Sequence, residues 1–229
     1  MVSERLPTGI ASVDALLGGG LETDAVTELY GEGGSGKTLF CLEVAARVAR
    51  ASRWVFYIDT EGVSLERLRS VGGTDFDRIL GRLLLSAPKD LDQQGRAVAT
   101  ACALARGGRR DVGLLVLDSA TNFYRLSLSG PDEDDAREAL AVEVADLVAA
   151  ARTLGIAVLL TNQVWRNPRD GVLEPLGGSF LNHAAKTILR FDRRDGPRRT
   201  VVLMKHRSRP EGSAGFRITS TGLESLGPG

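Results

Sequence analysis

The sequence predicts an α/β fold: a mainly parallel sheet with helices on both faces and antiparallel strands toward its C-terminal end. Three observations predict it. Short, nearly continuous apolar runs alternate with longer stretches whose apolar residues recur at helical spacing. The runs are rich in Val, Ile, Leu and aromatics, as strands covered on both faces are. Many of the 27 glycines cluster at the ends of these segments, where they punctuate a fold rather than loosen a linker.

The first buried strand is Val26–Tyr30. Gly31-Glu32-Gly33-Gly34-Ser35-Gly36-Lys37-Thr38 follows and satisfies G-x-x-x-x-G-K-[ST], with a helical pattern (Leu39, Leu42, Ala45, Ala46, Ala49) behind it. Glycines let the backbone curl so that successive amides point inward around phosphate oxygens, and the positive end of the following helix adds to the attraction. Residues 31–38 therefore suit a nucleoside triphosphate. The Lys37 ammonium would reach its β- and γ-phosphates, and the Thr38 hydroxyl would ligate Mg2+. ATP and Mg2+ are the expected cofactors.

The second strand, Trp54–Ile58, delivers Asp59-Thr60-Glu61-Gly62 to the same edge of the sheet. Hydrolysis needs a group that orients or deprotonates the attacking water, and Glu61 is the candidate. On spacing alone Glu61 serves equally as a favourable charge at the start of the next helix. Arg82–Leu85 is the third strand and Val112–Leu117 the fourth. The fourth brings Asp118 to its carboxyl end, where open α/β sheets bind ligands and a carboxylate can hold the water shell of Mg2+. A helix over Ala136–Arg152 carries Leu140, Val144, Leu147, Val148 and Ala151, and the acidic run Asp132–Asp135 suits its N-terminus.

The fifth strand, Ile156–Leu160, ends in Thr161-Asn162-Gln163. An amide at a strand tip can donate to a γ-phosphate, but a polar strand end that caps nothing is equally consistent with the chemistry. In the C-terminal third, Thr187–Phe191, Thr200–Lys205 and Phe216–Thr219 are separated by turns such as Asp195-Gly196-Pro197. They read as an antiparallel extension of the same sheet.

Composition sets the limits. The 229 residues suit one domain. Twenty-nine basic against 29 acidic residues exclude a globally cationic nucleic-acid binder, though not a local patch. No apolar run reaches the length of a bilayer span, and the start leads into no signal-peptide core, so a cytoplasmic chain without membrane contact is expected. Cys41 and Cys102 lie in helix-like stretches and imply no disulfide; His183 and His206 have no metal-ligand spacing.

Four motifs, GEGGSGKT, YIDTEG, LLVLDS and LLTNQV, stand in a fixed order. The set resembles the RecA-type recombinase ATPase core, its archaeal and eukaryotic branch in particular, and Leu6–Gly20 is similar to that branch's lead-in to the first strand. The resemblance covers essentially the whole chain. It implies a RecA-like P-loop NTPase core in which Glu61 activates water and Gln163 senses γ-phosphate. The strand-exchange members of that family carry an N-terminal helical DNA-binding domain and a linker whose Phe-x-x-Ala docks on the neighbouring subunit. Here about two dozen residues precede the first strand and hold no phenylalanine, so a single domain over 1–229 and no filament growth by that route are expected. The short form is similar to the archaeal recombinase paralogues. That implies a weakly hydrolysing accessory factor of DNA repair and homologous recombination, which binds single-stranded DNA and the main archaeal recombinase.

Lys205-His206-Arg207 resembles a Lys-x-Arg pair of KaiC-type relatives that reaches the γ-phosphate of the adjacent protomer. That resemblance implies a homo-oligomer and an alternative function, a ring-forming regulatory ATPase without DNA binding. On an extended strand Lys205 and Arg207 would share a face, with His206 opposite. A basic strand end on a solvated surface is the plain alternative.

In the recombinase family the loops after Asp118 and after Gln163 line the DNA channel. Here they are about Thr121–Asp135, with Arg125, and Trp165–Gly178, with Arg166 and Arg169 offset by Asp170 and Glu174. Trp165 can stack on a base or anchor its loop. Between Arg190 and Pro210 eight basic residues face Asp192 and Asp195, a local net of +6. Arg193, Arg194, Arg198 and Arg199 of this strip are candidate DNA contacts; a solvated charged face is the alternative.

Overall fold

The computed structural model describes residues 4–128, 133–167, 171 and 173–227. At the N-terminal end, β1 (Arg5–Leu6) pairs with β2 (Leu21–Glu22), and between them lies α1 (Ala11–Leu17), closed by Gly18 in the left-handed region. Then come β3 (Val26–Gly31), α2 (Lys37–Arg50), β4 (Trp54–Asp59), α3 (Leu65–Gly72), α4 (Phe76–Leu80) and β5 (Leu83–Ser86). Next are α5 (Leu91–Arg106), β6 (Val112–Asp118), α6 (Asn122–Ser127), α7 (Glu133–Leu154) and β7 (Ala157–Asn162). The small hairpin β8 (Val164–Arg166) and β9 (Leu173–Pro175) precedes α8 (Gly178–Ala184). The chain ends with β10 (Thr187–Arg193), β11 (Arg198–Lys205), β12 (Gly212–Ile218) and β13 (Leu223–Ser225).

Nine strands form one sheet in the order β13-β12-β11-β10-β3-β7-β6-β4-β5. The expectation of an antiparallel extension holds from β11 onward, but β10 itself runs parallel to β3. The reason is α8: it carries the chain from the end of β7 back toward the start of the sheet, and a crossover of that kind makes the next pairing parallel.

Helices cover both faces. Ala45, Ala46 and Ala49 of α2 pack against Tyr57, Val116 and Leu159 on one face, with Val13 and Leu17 of α1 and Leu68 of α3 in the same core. On the other face Val98 and Cys102 of α5 and Leu140, Val144 and Leu147 of α7 pack on Leu115, Leu117 and Leu160. Every residue of β6 is buried, which explains its unbroken apolar run. Edge-to-face contacts link Phe40 to Phe191 (5.5 Å) and Phe191 to Phe216 (5.9 Å), each adding about 0.5–1.5 kcal/mol beyond burial. That row ties the helix behind the phosphate loop to the antiparallel strands. Cys41 and Cys102 are buried free thiols. Among the described residues no helix is long and apolar enough to cross a membrane.

Candidate functional site

The site is built at the carboxyl ends of β3, β4, β6 and β7. β3 ends at Gly31, whose φ is +150°, and a Cβ there would lie 2.2 Å from the carbonyl oxygen of Phe191. Only glycine lets the chain leave the strand so close to β10. Gly34 and Gly36 also have positive φ, while nothing approaches within 4 Å of where a Cβ would stand on Gly33 or Gly34. The loop is thus open on the side where an anion would sit. The Ser35 hydroxyl is buried and has no partner among the described residues.

Lys37 Nζ donates to the carbonyls of Gly31 (2.7 Å) and Glu32 (3.2 Å). Burial lowers the pKa of its ammonium, and the Glu61 and Asp118 carboxylates act in the opposite direction. A cavity of about 380 Å3 runs from Gly33 and Lys37 past Thr38 and Glu61 to Arg67 and Ile218.

Asp118 is buried at the end of β6, joined to Ser119 by a cis peptide bond. Its Oδ2 accepts the Tyr57 hydroxyl (2.6 Å) and its Oδ1 the Thr161 hydroxyl (2.5 Å), and the Thr38 hydroxyl also bonds to it. Burial raises the Asp118 pKa, and the three hydroxyls, led by Thr161, pull it back down. Thr38 and Asp118 therefore stand together as hard oxygen donors of the kind Mg2+ prefers.

Glu61 lies on the loop after β4. The Asp59 carboxylate shapes that loop by accepting the amides of Glu61 (3.1 Å), Gly62 (2.8 Å) and Val63 (2.6 Å). Ser64, not Glu61, caps α3, accepting the Arg67 amide. Glu61 Oε1 instead accepts a 2.6 Å hydrogen bond from Gln163 Nε2. The two residues with unresolved roles thus meet above the phosphate loop. Gln163 Oε1 is buried without a partner among the described residues.

This constellation matches a known family. The family model described as Rad51 matches residues 3–226. The chain belongs to the Rad51 family. It is 43% identical to the DNA repair and recombination protein RadB of Methanoculleus marisnigri, over 99% of this chain and 100% of that one. It is 39% identical to the RadB of Archaeoglobus fulgidus over 96% of this chain and 97% of that one. A solved structure titled the RadB recombinase superposes with a TM-score of 0.82 at 33% identity, covering 97% of this chain and 100% of the other. The expected likeness to the short archaeal paralogues and the RecA-like fold both hold. The relatives carry a recombination reading rather than the KaiC-like ring.

In this Rad51-family chain the last two residues of β7 and the one after it are polar, and each binds a different element. Thr161 holds Asp118, and Gln163 holds Glu61. Asn162 Nδ2 donates to Glu28 Oε1 (2.8 Å) and to the Leu176 carbonyl (2.7 Å), while its Oδ1 accepts the Thr121 hydroxyl (2.8 Å). One side chain thereby ties the start of the first loop and the end of the second to β3. Burial raises the Glu28 pKa, with the Asn162 bond opposing it. Sequence reasoning missed Tyr57, Thr161, Asn162 and Asp59 as site residues. Alternation along β4 and β7 carried the only signal: polar or hydroxylated residues on otherwise apolar strand ends.

The basic C-terminal residues are placed otherwise than expected. β11 stops at Lys205, so side-chain alternation no longer applies beyond it and Lys205 and Arg207 do not share a face. Lys205 Nζ donates to the carbonyls of Asn182 (2.5 Å) and Ala185 (2.9 Å) at the end of α8. Arg207 turns to the buried Glu22 (2.8 Å) and to Asp24, and His206 faces Glu22 with it. The +6 strip is also not one surface. β10 and β11 fold it into a hairpin, which separates Arg193–Arg199 from Lys205 by about 20 Å of strand.

Within that hairpin Arg199 is buried and donates from Nε to the Gly34 carbonyl (3.2 Å), so it supports the phosphate loop instead of facing outward. Arg194 bonds Thr200 and lies 3.8 Å from Asp192, while Arg193 and Arg198 are exposed. Arg125 is exposed on α6. Trp165 is 42% exposed on β8, and Arg166 pairs with Glu32 of the phosphate loop (3.3 Å) and with the Gly171 carbonyl (2.8 Å). Arg169, Asp132 and Asp170 lie outside the described residues. Glu133, Asp134 and Asp135 occupy the first turn of α7, as the dipole argument expects.

Proposed function

We propose that this chain is an ATP-dependent accessory factor of DNA repair and homologous recombination, acting as one RecA-like domain that binds ATP with Mg2+ and hydrolyses it slowly. The observation that carries the reading is the 2.6 Å contact between Gln163 and Glu61 beside an open phosphate loop. Residues 31–36 cradle phosphate oxygens with main-chain amides, Lys37 neutralises them, and Thr38 with Asp118 holds Mg2+, which supplies charge neutralisation at the phosphates. Gln163 now gives its amide to Glu61. Redirecting that amide to a terminal phosphate releases Glu61 Oε1 to orient water and accept its proton.

Single-stranded DNA is the proposed ligand of the two loops tied by Asn162. Arg125, Trp165, Arg166 and Arg169 are candidate contacts there, joined by Arg193, Arg194 and Arg198 from the hairpin, while Arg199 supports the phosphate loop. The main archaeal recombinase is the proposed protein partner and the cytoplasm the proposed compartment. In a homo-oligomer, any help from Lys205 and Arg207 would go to a neighbour's phosphates, because both are engaged away from the chain's own loop.

Glu61→Gln tests the core of this proposal. Phosphate release with Mg2+ and ATP should fall at least about tenfold while calorimetric ATP binding persists. Unchanged turnover would remove Glu61 as the base.

A further inference from the structure

The opposite rim of the sheet, where the strands begin, carries a second concentration of charge. β5, β4 and β6 lie side by side, and Arg82, Arg53 and Arg110 stand just before or near their first residues. Trp54 opens β4 and is flanked by two guanidinium groups, Arg82 at 5.3 Å and Arg110 at 4.9 Å from its ring. Arg106, at the end of α5, and Arg109, after the Gly107-Gly108 turn, are exposed beside them. Asp111 answers only Arg53, at 3.1 Å. Among the described residues Arg82, Arg106, Arg109 and Arg110 form no ion pair, which leaves a local net of +4.

Helix dipoles do not account for the row. Arg106 lies in the last turn of α5, where a cation is favourable, but Arg82, Arg109 and Arg110 belong to no helix. Each of the two guanidinium groups is attracted to the same indole ring, which keeps both beside the start of β4.

We propose that this row is a second contact for the sugar–phosphate backbone of DNA, on the rim away from the ATP site. It rests on the DNA-binding reading above and adds a place to it. An arginine fork takes carboxylate and phosphate alike, and it is the want of a free apolar anchor that favours a phosphate backbone over an acidic polypeptide. The row is all arginine, whose planar fork takes phosphate oxygens in pairs, and none of the chain's four lysines stands in it. Nothing within 4 Å would crowd a Cβ on Gly108, so backbone can approach there. A polypeptide interface would want an apolar anchor, and Trp54 already carries two guanidinium groups.

The test is fluorescence anisotropy of a labelled oligothymidylate with the full chain, Mg2+ and ATP, across a salt series. Arg109→Glu with Arg110→Glu should weaken binding at least about tenfold at 0.1 M salt and lower the salt slope by about 1.4, two phosphate contacts' worth. Melting temperature and ATP affinity should stay at the parent values. Arg109→Ala with Arg110→Ala gives the same direction with a smaller change if the charge reversal perturbs folding. Arg193→Glu with Arg194→Glu serves as the upper-rim comparison. Loss of DNA binding in that variant alone overturns the second contact and leaves the general reading intact. No binding by the parent chain would overturn both. Unchanged DNA binding with lost capture of the main recombinase would make the row a protein interface and refute the inference.

Discussion

Glu143 should make this protein less stable as pH rises toward neutrality. It sits on α7, 3% exposed, with Oε2 accepting Gln94 Nε2 at 2.7 Å. The same Gln94 nitrogen donates to the Ala120 carbonyl, so the pair braces the segment after β6. Burial lifts the Glu143 pKa from 4.5 to about 7, with the Gln94 bond opposing. A carboxyl whose folded pKa lies above its unfolded value favours folding in its protonated form. Below pH 4.5 both states are protonated and no difference accrues; between about 4.5 and 7 stability falls as pH rises; above 7 the loss is complete. A shift of that size corresponds to about 3 kcal/mol at 1.36 kcal/mol per pH unit.

Glu143→Gln keeps the shape and removes the charge. The variant should match the parent near pH 4 and exceed it by about 3 kcal/mol at pH 8, roughly 6–12 °C in Tm for a chain of this size. Urea unfolding and thermal melts from pH 4 to 9 provide the measurement. Glu28 and Asp118, also raised, contribute equally to both proteins and cancel in the difference. Two parallel stability profiles would refute the reasoning, because they would mean that Glu143 ionises alike in the folded and unfolded chains.

Three further outcomes are expected. Tyr57→Phe removes the hydroxyl on Asp118 and should cost about 1–2 kcal/mol, seen in urea melts, with weaker Mg2+-dependent ATP binding in calorimetry. Gly31→Ala puts a methyl 2.2 Å from the Phe191 carbonyl and should cost about 3 kcal/mol or more, whereas Gly33→Ala, into open space, should cost under about 1 kcal/mol. Arg199→Ala should lower ATP affinity several-fold and leave DNA affinity within about twofold, since its guanidinium serves Gly34.

The parallel sheet was legible because its strands are buried on both faces and so appear as unbroken apolar runs, Val112–Asp118 above all. The phosphate loop was legible because its glycines are demanded by backbone geometry at fixed positions. Other features depend on tertiary neighbours that no local pattern encodes. β10 pairs with β3, more than 150 residues away, and its direction follows from α8. Arg199 counted as a surface charge until the hairpin folded it beneath Gly34. Lys205 and Arg207 look like partners at i and i+2 only while the strand continues, and it does not. Tyr57 reads as one more aromatic of a buried strand; its hydroxyl matters because β6 places Asp118 2.6 Å away.

The tip of β7 is a crossroads of the fold. Side chains 161, 162 and 163 leave neighbouring positions of the backbone and grip Asp118, the segments at Thr121 and Leu176, and Glu61 in turn. A phosphate that drew Gln163 off Glu61 would do so within two residues of the side chains that hold the Asp118 carboxylate and the segment at Leu176.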